Sequence, residues 1–263
     1  MKISGRTFVV SGGASGLGRA CVRDICALGG HAAILDMNEE LGSALVQELG
    51  GSQAKFLPCD VTDTDSIAGA VAAAVAWASE TGKPLGGVIP AAGVGFPGLV
   101  LDKQLRPVSL ENVDLVLRIN LRGTLDLVRQ VLPHLGAVEP EGVDGERGVV
   151  VMVASAAAFE GQMGQVAYAA SKGAVAAMTL PMARDLSRFG IRVVTIAPSM
   201  FESNMTAHMS DKVRVGLKKA MEFPARPGQP EEFASLVRQA IENVMLNGVV
   251  IRLDGATRMP SKL

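Results

Sequence analysis

Short apolar segments alternate with longer helical patterns from one end of the chain to the other. The short segments are rich in β-branched residues, as is typical of strands buried on both faces. Strands that alternate with helices predict parallel pairing, and seven of them fit a single-domain α/β fold with a Rossmann-like, doubly wound sheet flanked by helices. The predicted strands are residues 7–10, 32–35, 54–57, 87–89, 149–153, 192–196 and 249–253.

The segments between these strands predict six helices and two irregular loops. The helices are expected at residues 16–28, 39–49, 66–80, 110–135, 166–188 and 231–244. The loops, at 93–109 and 198–230, emerge where open α/β sheets collect their ligands. Residues 1–263 are therefore interpreted as one domain, with a cofactor-binding half near 1–150, a catalytic and substrate-binding half near 151–256, and a tail at 257–263.

Composition argues against several classes of partner. The 25 basic and 26 acidic side chains nearly cancel, which leaves no positive field for nucleic acid or an anionic membrane surface. The most apolar runs are too short to span a bilayer. The three cysteines, Cys21, Cys26 and Cys59, form no metal-ligand pattern with the few histidines, so no metal site is expected.

The two ends of the chain carry different signals. The first predicted strand begins at Thr7, which leaves no room before it for a leader peptide. The last residues are Ser261-Lys262-Leu263, a tripeptide that the import receptor reads as a peroxisomal address. The sequence thus predicts a protein of the peroxisomal matrix. The alternative is a frayed tail without a targeting role.

The turn after the first strand is rich in glycine and leads into a helix. Glycines in this context let the backbone approach a pyrophosphate at the helix N-terminus. The residues expected to contact a dinucleotide here are Gly12, Ser15, Gly16, Leu17 and Gly18.

Asp36 ends the second predicted strand. An acidic side chain there receives the ribose hydroxyls of NAD and repels the additional phosphate of NADP. Neither Ser15 nor Met37 supplies a compensating cation, so NAD is the expected cofactor. The alternative interpretation of Asp36 is a helix N-cap.

Tyr168 is the one tyrosine of the chain, and it precedes Lys172 by four residues. On a helix this spacing puts both side chains on one face. A neighbouring ammonium and a cationic nicotinamide both favour phenolate, so Tyr168 is a candidate to exchange a proton with a substrate oxygen.

Two further polar residues complete the candidate catalytic set. Ser155, which follows the fifth strand, is expected to hydrogen-bond the same substrate oxygen, and Asn120 is expected to anchor a water beside Lys172. Each of these residues also has an ordinary interpretation: an interfacial ring beside a surface amine, a strand-end hydroxyl or a helix-surface amide.

The order of these features resembles the short-chain dehydrogenase/reductase family over essentially the whole chain. The resemblance implies that Asn120, Ser155, Tyr168 and Lys172 are the catalytic residues. The additional cofactor contacts that it implies are Asp60, Val61, Ala91, Ala92, Gly93, Pro198, Phe201 and Ser203, besides Tyr168 and Lys172 themselves. The implied substrate contacts are Ser155, Gln162, Gln165 and Met205.

The sequence departs from the family pattern at two positions. Pro90 replaces the asparagine of the family's Asn-Ala-Ala-Gly after the fourth strand, which removes a backbone donor, so the strand ladder must not need that N–H. We expect a looser cofactor rim there. Ser199 replaces the glycine of the Pro-Gly pair after the sixth strand and adds a side chain near the nicotinamide.

Residues 157–162, 178–186 and 248–256 resemble a subgroup of the family that interconverts 3-hydroxyacyl-CoA and 3-ketoacyl-CoA. With the terminal tripeptide, this resemblance implies an NAD-dependent step of peroxisomal fatty-acid β-oxidation. Members of the subgroup are usually mitochondrial homotetramers, so it also implies a homotetramer that uses helices 110–135 and 166–188. The alternatives are a dehydrogenase of a steroid or other secondary alcohol, and a non-catalytic NAD-binding scaffold.

An apolar lid and a basic surface are expected around such a substrate. The lid candidates are Met200, Phe201, Met205, Met209, Met221 and Phe223. The candidates to contact CoA phosphates are Lys103, Arg106, Lys212, Arg214, Lys218 and Lys219. The ordinary interpretations are packing of the lid onto the sheet and solvated surface charge.

Overall fold

Seven parallel strands form one sheet in the order β3-β2-β1-β4-β5-β6-β7. The computed structural model describes residues 1–202 and 221–259. The strands are β1 (Thr7–Ser11), β2 (His31–Asp36), β3 (Ala54–Pro58), β4 (Leu85–Pro90), β5 (Gly148–Val153), β6 (Ile191–Pro198) and β7 (Val249–Leu253). Each strand lies within two residues of its predicted bounds, so the predicted single-domain, doubly wound fold is confirmed.

Helices connect the strands and cover both faces of the sheet. They are α1 (Gly16–Ala27), α2 (Glu39–Glu48), α3 (Thr64–Glu80), α4 (Leu110–Leu117), α5 (Thr124–Gly136), α6 (Val166–Leu186) and α7 (Pro230–Glu242). Polar N-caps begin several of them: the Asn38 side chain accepts from the N–H of Leu41 at the start of α2, for example. Asp36 is therefore not the N-cap of this helix, and that alternative interpretation is wrong.

Two apolar layers hold the helices to the sheet. One layer packs α3, α5 and α6 against one face, with Ile67, Leu127 and Val175 fully buried. The other packs α1 and α7 against the opposite face around Ile25 and Phe233. Complete burial on both faces explains why the central strands read as continuous apolar runs rather than alternating ones.

The predicted helix at 110–135 is interrupted. A π-helical turn, Arg118–Gly123, separates α4 from α5. Asn120 lies in this turn with no solvent exposure, and its amide bonds the backbone of another loop. Single π-turns occur where a helix takes up one additional residue. The periodicity of the sequence predicted one continuous helix because it contains no sign of that contact.

Pro90 fits the sheet as the sequence required. The N–H of Ala91 donates to Ser11 on β1, so by alternation the backbone nitrogen of Pro90 faces β5. The paired register of β4 with β5 ends at Val88 and Val150, two residues before Pro90. The missing donor therefore costs the ladder no hydrogen bond.

The described residues contain neither a membrane-spanning helix nor a cluster of metal ligands. Between residues 1–202 and 221–259, no helix combines the length and apolar character needed to cross a membrane. Within the same ranges, no group of three His, Cys, Asp or Glu side chains is placed to hold a metal ion.

Candidate active site

A cavity of about 600 Å³ opens at the carboxyl ends of β1, β4, β5 and β6. The chain reverses its direction of winding between β1 and β4, and open α/β sheets bind ligands at such a point. Predicted site residues that line this cavity are Gly12, Ser15, Gly16, Leu17, Gly18, Ala91, Ala92, Gly93, Ser155, Tyr168, Lys172, Pro198 and Phe201.

Glycine residues, which have no side chain, form one end of the cavity. Gly12 has a φ of +63°, which L residues rarely adopt, and a Cβ there would lie 2.8 Å from the backbone of Ala92. A Cβ on Gly18 would overlap the carbonyl oxygen of Gly12. The close approach of these backbones forms a narrow cradle at the start of α1, which fits a dinucleotide pyrophosphate on the helix N-terminus.

Asp36 supports the cradle from the end of β2. One carboxylate oxygen accepts from the N–H of Ala14 at 3.1 Å, and the other accepts from the N–H of Asn38 at 3.0 Å. These bonds fix a negative charge beside the glycine turn. The residues present thus fit a nicotinamide dinucleotide, although Asp36 itself does not line the described cavity.

Ser155, Tyr168 and Lys172 meet at the other end of the cavity. Ser155 follows β5, and the other two lie one turn apart on α6. The Ser155 hydroxyl is hydrogen-bonded to the Tyr168 phenol. It also accepts from the N–H of Ala157 at 3.1 Å, which orients it. The structure therefore brings the three residues together as the sequence predicted.

Lys172 is fixed by one strong contact. Its ammonium donates to the carbonyl oxygen of Val153 at 2.8 Å and lies 6.0 Å from the ring centre of Tyr168. Burial lowers the pKa of Lys172 from 10.5 to about 8. The amine still carries its proton at neutral pH and can assist proton exchange at Tyr168.

The electrostatics of Tyr168 differ from the sequence expectation. Burial raises the pKa of its phenol, and the hydrogen bond with Ser155 lowers it, with burial the larger effect. Burial of the phenol thus opposes its ionisation more than the hydrogen bond favours it. A positive charge brought into the cavity favours the ionised form of the phenol.

Asn120 supports the site from behind the cavity wall. Its Oδ1 accepts from the N–H of Val94 at 2.8 Å, while its Nδ2 donates to the Val94 carbonyl at 2.9 Å and to the Ser171 hydroxyl at 3.1 Å. Both amide hydrogens are used by these bonds, and the anchoring of a water by Asn120 stays a prediction. The amide fixes the loop after β4 to α6.

Other predicted contacts lie away from the cavity wall. Asp60 and Val61 follow β3, where Asp60 accepts from the N–H of Thr62 at 2.8 Å. Gln165 accepts from the N–H of Gln162 at 2.9 Å at the start of α6. None of these four residues lines the described cavity. Ser203 and Met205 lie outside the described residues.

Some residues of the predicted lid and basic surface lie within the described part of the chain. Phe201 lines the cavity but also packs edge-on against Phe233, and Met200 is buried beside it. Met221 is half-buried, Phe223 is exposed, and Arg106 pairs with Asp102 at 2.8 Å. Lys103 is exposed. The candidates outside the described residues are Met209, Lys212, Arg214, Lys218 and Lys219.

Sequence reasoning missed several residues of the wall. These are Val94, Gly95, Phe96, Val153 and Ala154. The first three belong to the irregular loop after β4, Val153 ends β5 and Ala154 follows it, so their position at strand ends was the available signal. Ser199, which the sequence predicts to lie near the nicotinamide, also lines the cavity.

Comparison with known proteins agrees with this geometry. The family model of the short chain dehydrogenases matches residues 6–214. The bovine 3-hydroxyacyl-CoA dehydrogenase type-2 is 42% identical over 98% of this chain and 97% of its own length. The ipsdienol dehydrogenase of Ips pini is 30% identical over 98% of this chain and 99% of its own length.

A solved structure extends the likeness to three dimensions. The 3-hydroxyacyl-CoA dehydrogenase type-2 of Mycobacterium avium superposes with a TM-score of 0.89 at 37% identity, with all of both chains covered. This similarity and the family match cover both the glycine turn and the Ser155–Tyr168–Lys172 cluster. The chain belongs to the short-chain dehydrogenase family and is an oxidoreductase.

Proposed function

We propose that this oxidoreductase uses NAD to interconvert 3-hydroxyacyl-CoA and 3-ketoacyl-CoA in peroxisomal fatty-acid β-oxidation. The observation that carries the reaction type is the meeting of Ser155, Tyr168 and Lys172 at one end of a cavity whose other end is a glycine cradle. The substrate class is supported by the relatives named 3-hydroxyacyl-CoA dehydrogenase type-2, which align over nearly the whole chain.

The chain's own residues handle the substrate oxygen. Ser155 hydrogen-bonds the 3-hydroxyl, and Tyr168 removes its proton as the carbonyl forms. NAD, when bound, supplies the hydride acceptor and a positive charge beside the phenol. In the reverse direction Tyr168 returns the proton to the oxygen, with Lys172 beside it to favour the ionised phenol.

Asp36 supports NAD rather than NADP as the cofactor. Its carboxylate is fixed at the end of β2 by two backbone N–H groups, so it does not turn away from an incoming phosphate. Met37, the next residue, is 73% exposed and uncharged. A ribose with free hydroxyls can bond this carboxylate, whereas an additional phosphate meets like charge.

A substrate panel tests the proposed reaction. We expect the purified protein to consume NADH with acetoacetyl-CoA and with a long-chain 3-ketoacyl-CoA, and the ratio of the two rates measures the acyl pocket. In the same panel, free steroid and secondary alcohols are offered with NAD. Much faster oxidation of the free alcohols than of CoA esters would contradict the proposed substrate class and favour an alcohol dehydrogenase.

The peroxisomal location rests on Ser261-Lys262-Leu263. We expect a fluorescent protein fused to the N-terminus to collect in peroxisomes, and the same fusion without the last three residues to stay in the cytosol. Equal distribution of the two fusions would overturn the location and leave the enzymatic proposal untouched.

Assembly as a homotetramer is supported by exposed apolar side chains on the long helices. Leu110 on α4 is 71% exposed, and Leu125, Val166 and Leu180 on α5 and α6 are also exposed. Burying such residues stabilises oligomers. Sedimentation velocity is expected to give a species of four chains, and a monomer at micromolar concentration would contradict the proposal.

A further inference from the structure

One hydroxyl on the cavity wall lacks a hydrogen bond. The Ser199 oxygen is buried and has no partner among residues 1–202 and 221–259. Three other buried side-chain atoms share this property, on Arg19, His31 and Arg238, but Ser199 alone of the four lines the cavity. Buried hydroxyls are normally bonded because their lost hydration must be compensated. Its position indicates that a ligand supplies the missing partner.

The other polar side chains at this end of the cavity are already engaged. Ser155 is bonded to Tyr168 and to the N–H of Ala157. Lys172 donates to Val153. Ser199 is therefore the hydroxyl still able to serve a second polar atom of a ligand whose first oxygen is held by Ser155 and Tyr168.

Strand order places Ser155 and Ser199 at the same edge of the sheet, where both line the cavity. They follow β5 and β6, which pair in register up to Val153 and Ile196. Neighbouring strands lie about 4.8 Å apart. The N–H of Ser199 donates to Leu253 at 3.1 Å, which fixes its backbone, so one side-chain torsion sets the position of its oxygen.

We propose that the Ser199 hydroxyl turns into the cavity and donates to the thioester carbonyl of the substrate, while Ser155 and Tyr168 hold the 3-oxygen. A 3-ketoacyl thioester carries two oxygens on carbons separated by one methylene, so they lie within a few ångströms of each other. Ser155 and Ser199 follow neighbouring strands, which lie about 4.8 Å apart, so the two hydroxyls can reach these two oxygens. Ser199 thus selects thioesters with an oxygen at the 3-position, an assignment that rests on the proposed function.

Substitution of Ser199 tests this assignment. Ser199→Ala and Ser199→Gly, the second of which restores the family's Pro-Gly pair, are expected to raise the KM for acetoacetyl-CoA about fivefold with little change in kcat. Ser199→Thr keeps the hydroxyl and is expected to stay near the wild-type KM. Ser187→Ala, at the residue that follows α6, is a matched control for loss of a serine hydroxyl away from the cavity.

Fluorescence titration with NADH separates the substrate from the cofactor. The Kd of NADH is expected to be the same in wild type, Ser199→Ala and Ser199→Gly. An unchanged KM for acetoacetyl-CoA in both variants overturns the assignment. A higher Kd for NADH in the variants also overturns it, because the Ser199 hydroxyl would then bond the cofactor. If the wild-type enzyme shows no activity on acetoacetyl-CoA, the proposed function itself is contradicted. If the wild type is active and the variants have the same KM as the wild type, only the role of Ser199 is contradicted.

Discussion

The two ends of the cavity are built from different parts of the chain. At the cofactor end, backbone atoms of the glycine turn and of Ala92 approach so closely that a single added carbon would overlap them. At the reacting end, Ser155 is hydrogen-bonded to Tyr168, and the buried Lys172 is held beside them by its bond to the Val153 carbonyl. The cofactor end is therefore sensitive to added atoms, and the reacting end to lost or altered polar groups.

The largest effect is expected from adding one carbon to the cofactor end. In Gly18→Ala the new Cβ overlaps the Gly12 carbonyl, so the turn must open. We expect NADH affinity to fall about a thousandfold, which corresponds to roughly 4 kcal/mol. Fluorescence titration with NADH measures the change.

Gly69→Ala provides the matched control for this substitution. Gly69 lies on the exposed side of α3, and a Cβ there meets nothing within 4 Å. The variant should bind NADH like the wild type and gain about 0.5 to 1 kcal/mol of stability, because alanine favours a helix more than glycine does. Equal NADH affinity in Gly18→Ala and Gly69→Ala would contradict the claim that the cofactor end is sensitive to added atoms.

A second effect concerns the buried charge at the reacting end. The pKa of Lys172 is lowered to about 8 by burial, so between pH 8 and 10.5 the unfolded chain binds more protons than the folded one. The free energy of unfolding of the wild type should therefore rise with pH across this window, by roughly 3 kcal/mol relative to Lys172→Met.

Urea unfolding of both proteins at several pH values measures this difference. Wild type and Lys172→Met should differ most below pH 8, where burial of the ammonium costs the wild type the most. Parallel stability curves from pH 7 to 10.5 would show that burial does not perturb this lysine.

Asn120 connects the loop at Val94 to Ser171 on α6. Its replacement is expected to lower the free energy of unfolding by about 2 kcal/mol. Asn120→Ala leaves the N–H and the carbonyl of Val94 without their amide partner. Because Val94 lines the cavity, the KM for NADH should rise together with the loss of stability. Urea unfolding and steady-state kinetics measure the two quantities, and a loss below 0.5 kcal/mol would contradict this structural role.

A smaller effect, about a tenfold change in KM for the cofactor, is expected when Asp36 is replaced. Asp36→Ser removes the charge that opposes the additional phosphate of NADP while retaining a small polar side chain. The KM for NADH should rise and that for NADPH should fall. A wild type that already prefers NADPH would refute the proposed cofactor.

The sequence was sufficient for most of the architecture. Apolar runs locate the strands to within two residues because burial on both faces leaves a strong compositional signal. The helical spacing of Tyr168 and Lys172 places them one turn apart, and parallel strands carry Ser155 to the same edge of the sheet. These inferences need only local periodicity and the direction of the chain.

Contacts between distant segments were beyond the sequence. The π-turn at Asn120 accompanies hydrogen bonds to Val94, which lies 26 residues earlier in the chain. The unpartnered Ser199 hydroxyl becomes visible only when every neighbour is placed around it. In both cases the deciding interaction joins segments whose approach leaves no periodic pattern.

The most direct test compares wild type and Tyr168→Phe in two assays on the same samples, NADH consumption with acetoacetyl-CoA and NADH binding. Since proton exchange by a positioned side chain contributes about 10²- to 10⁴-fold, the variant should lose at least a hundredfold in turnover. Its NADH affinity should stay within about twofold, because phenylalanine keeps the aromatic ring and the glycine cradle is unchanged. Turnover by Tyr168→Phe within tenfold of the wild-type rate would contradict the proposed chemistry.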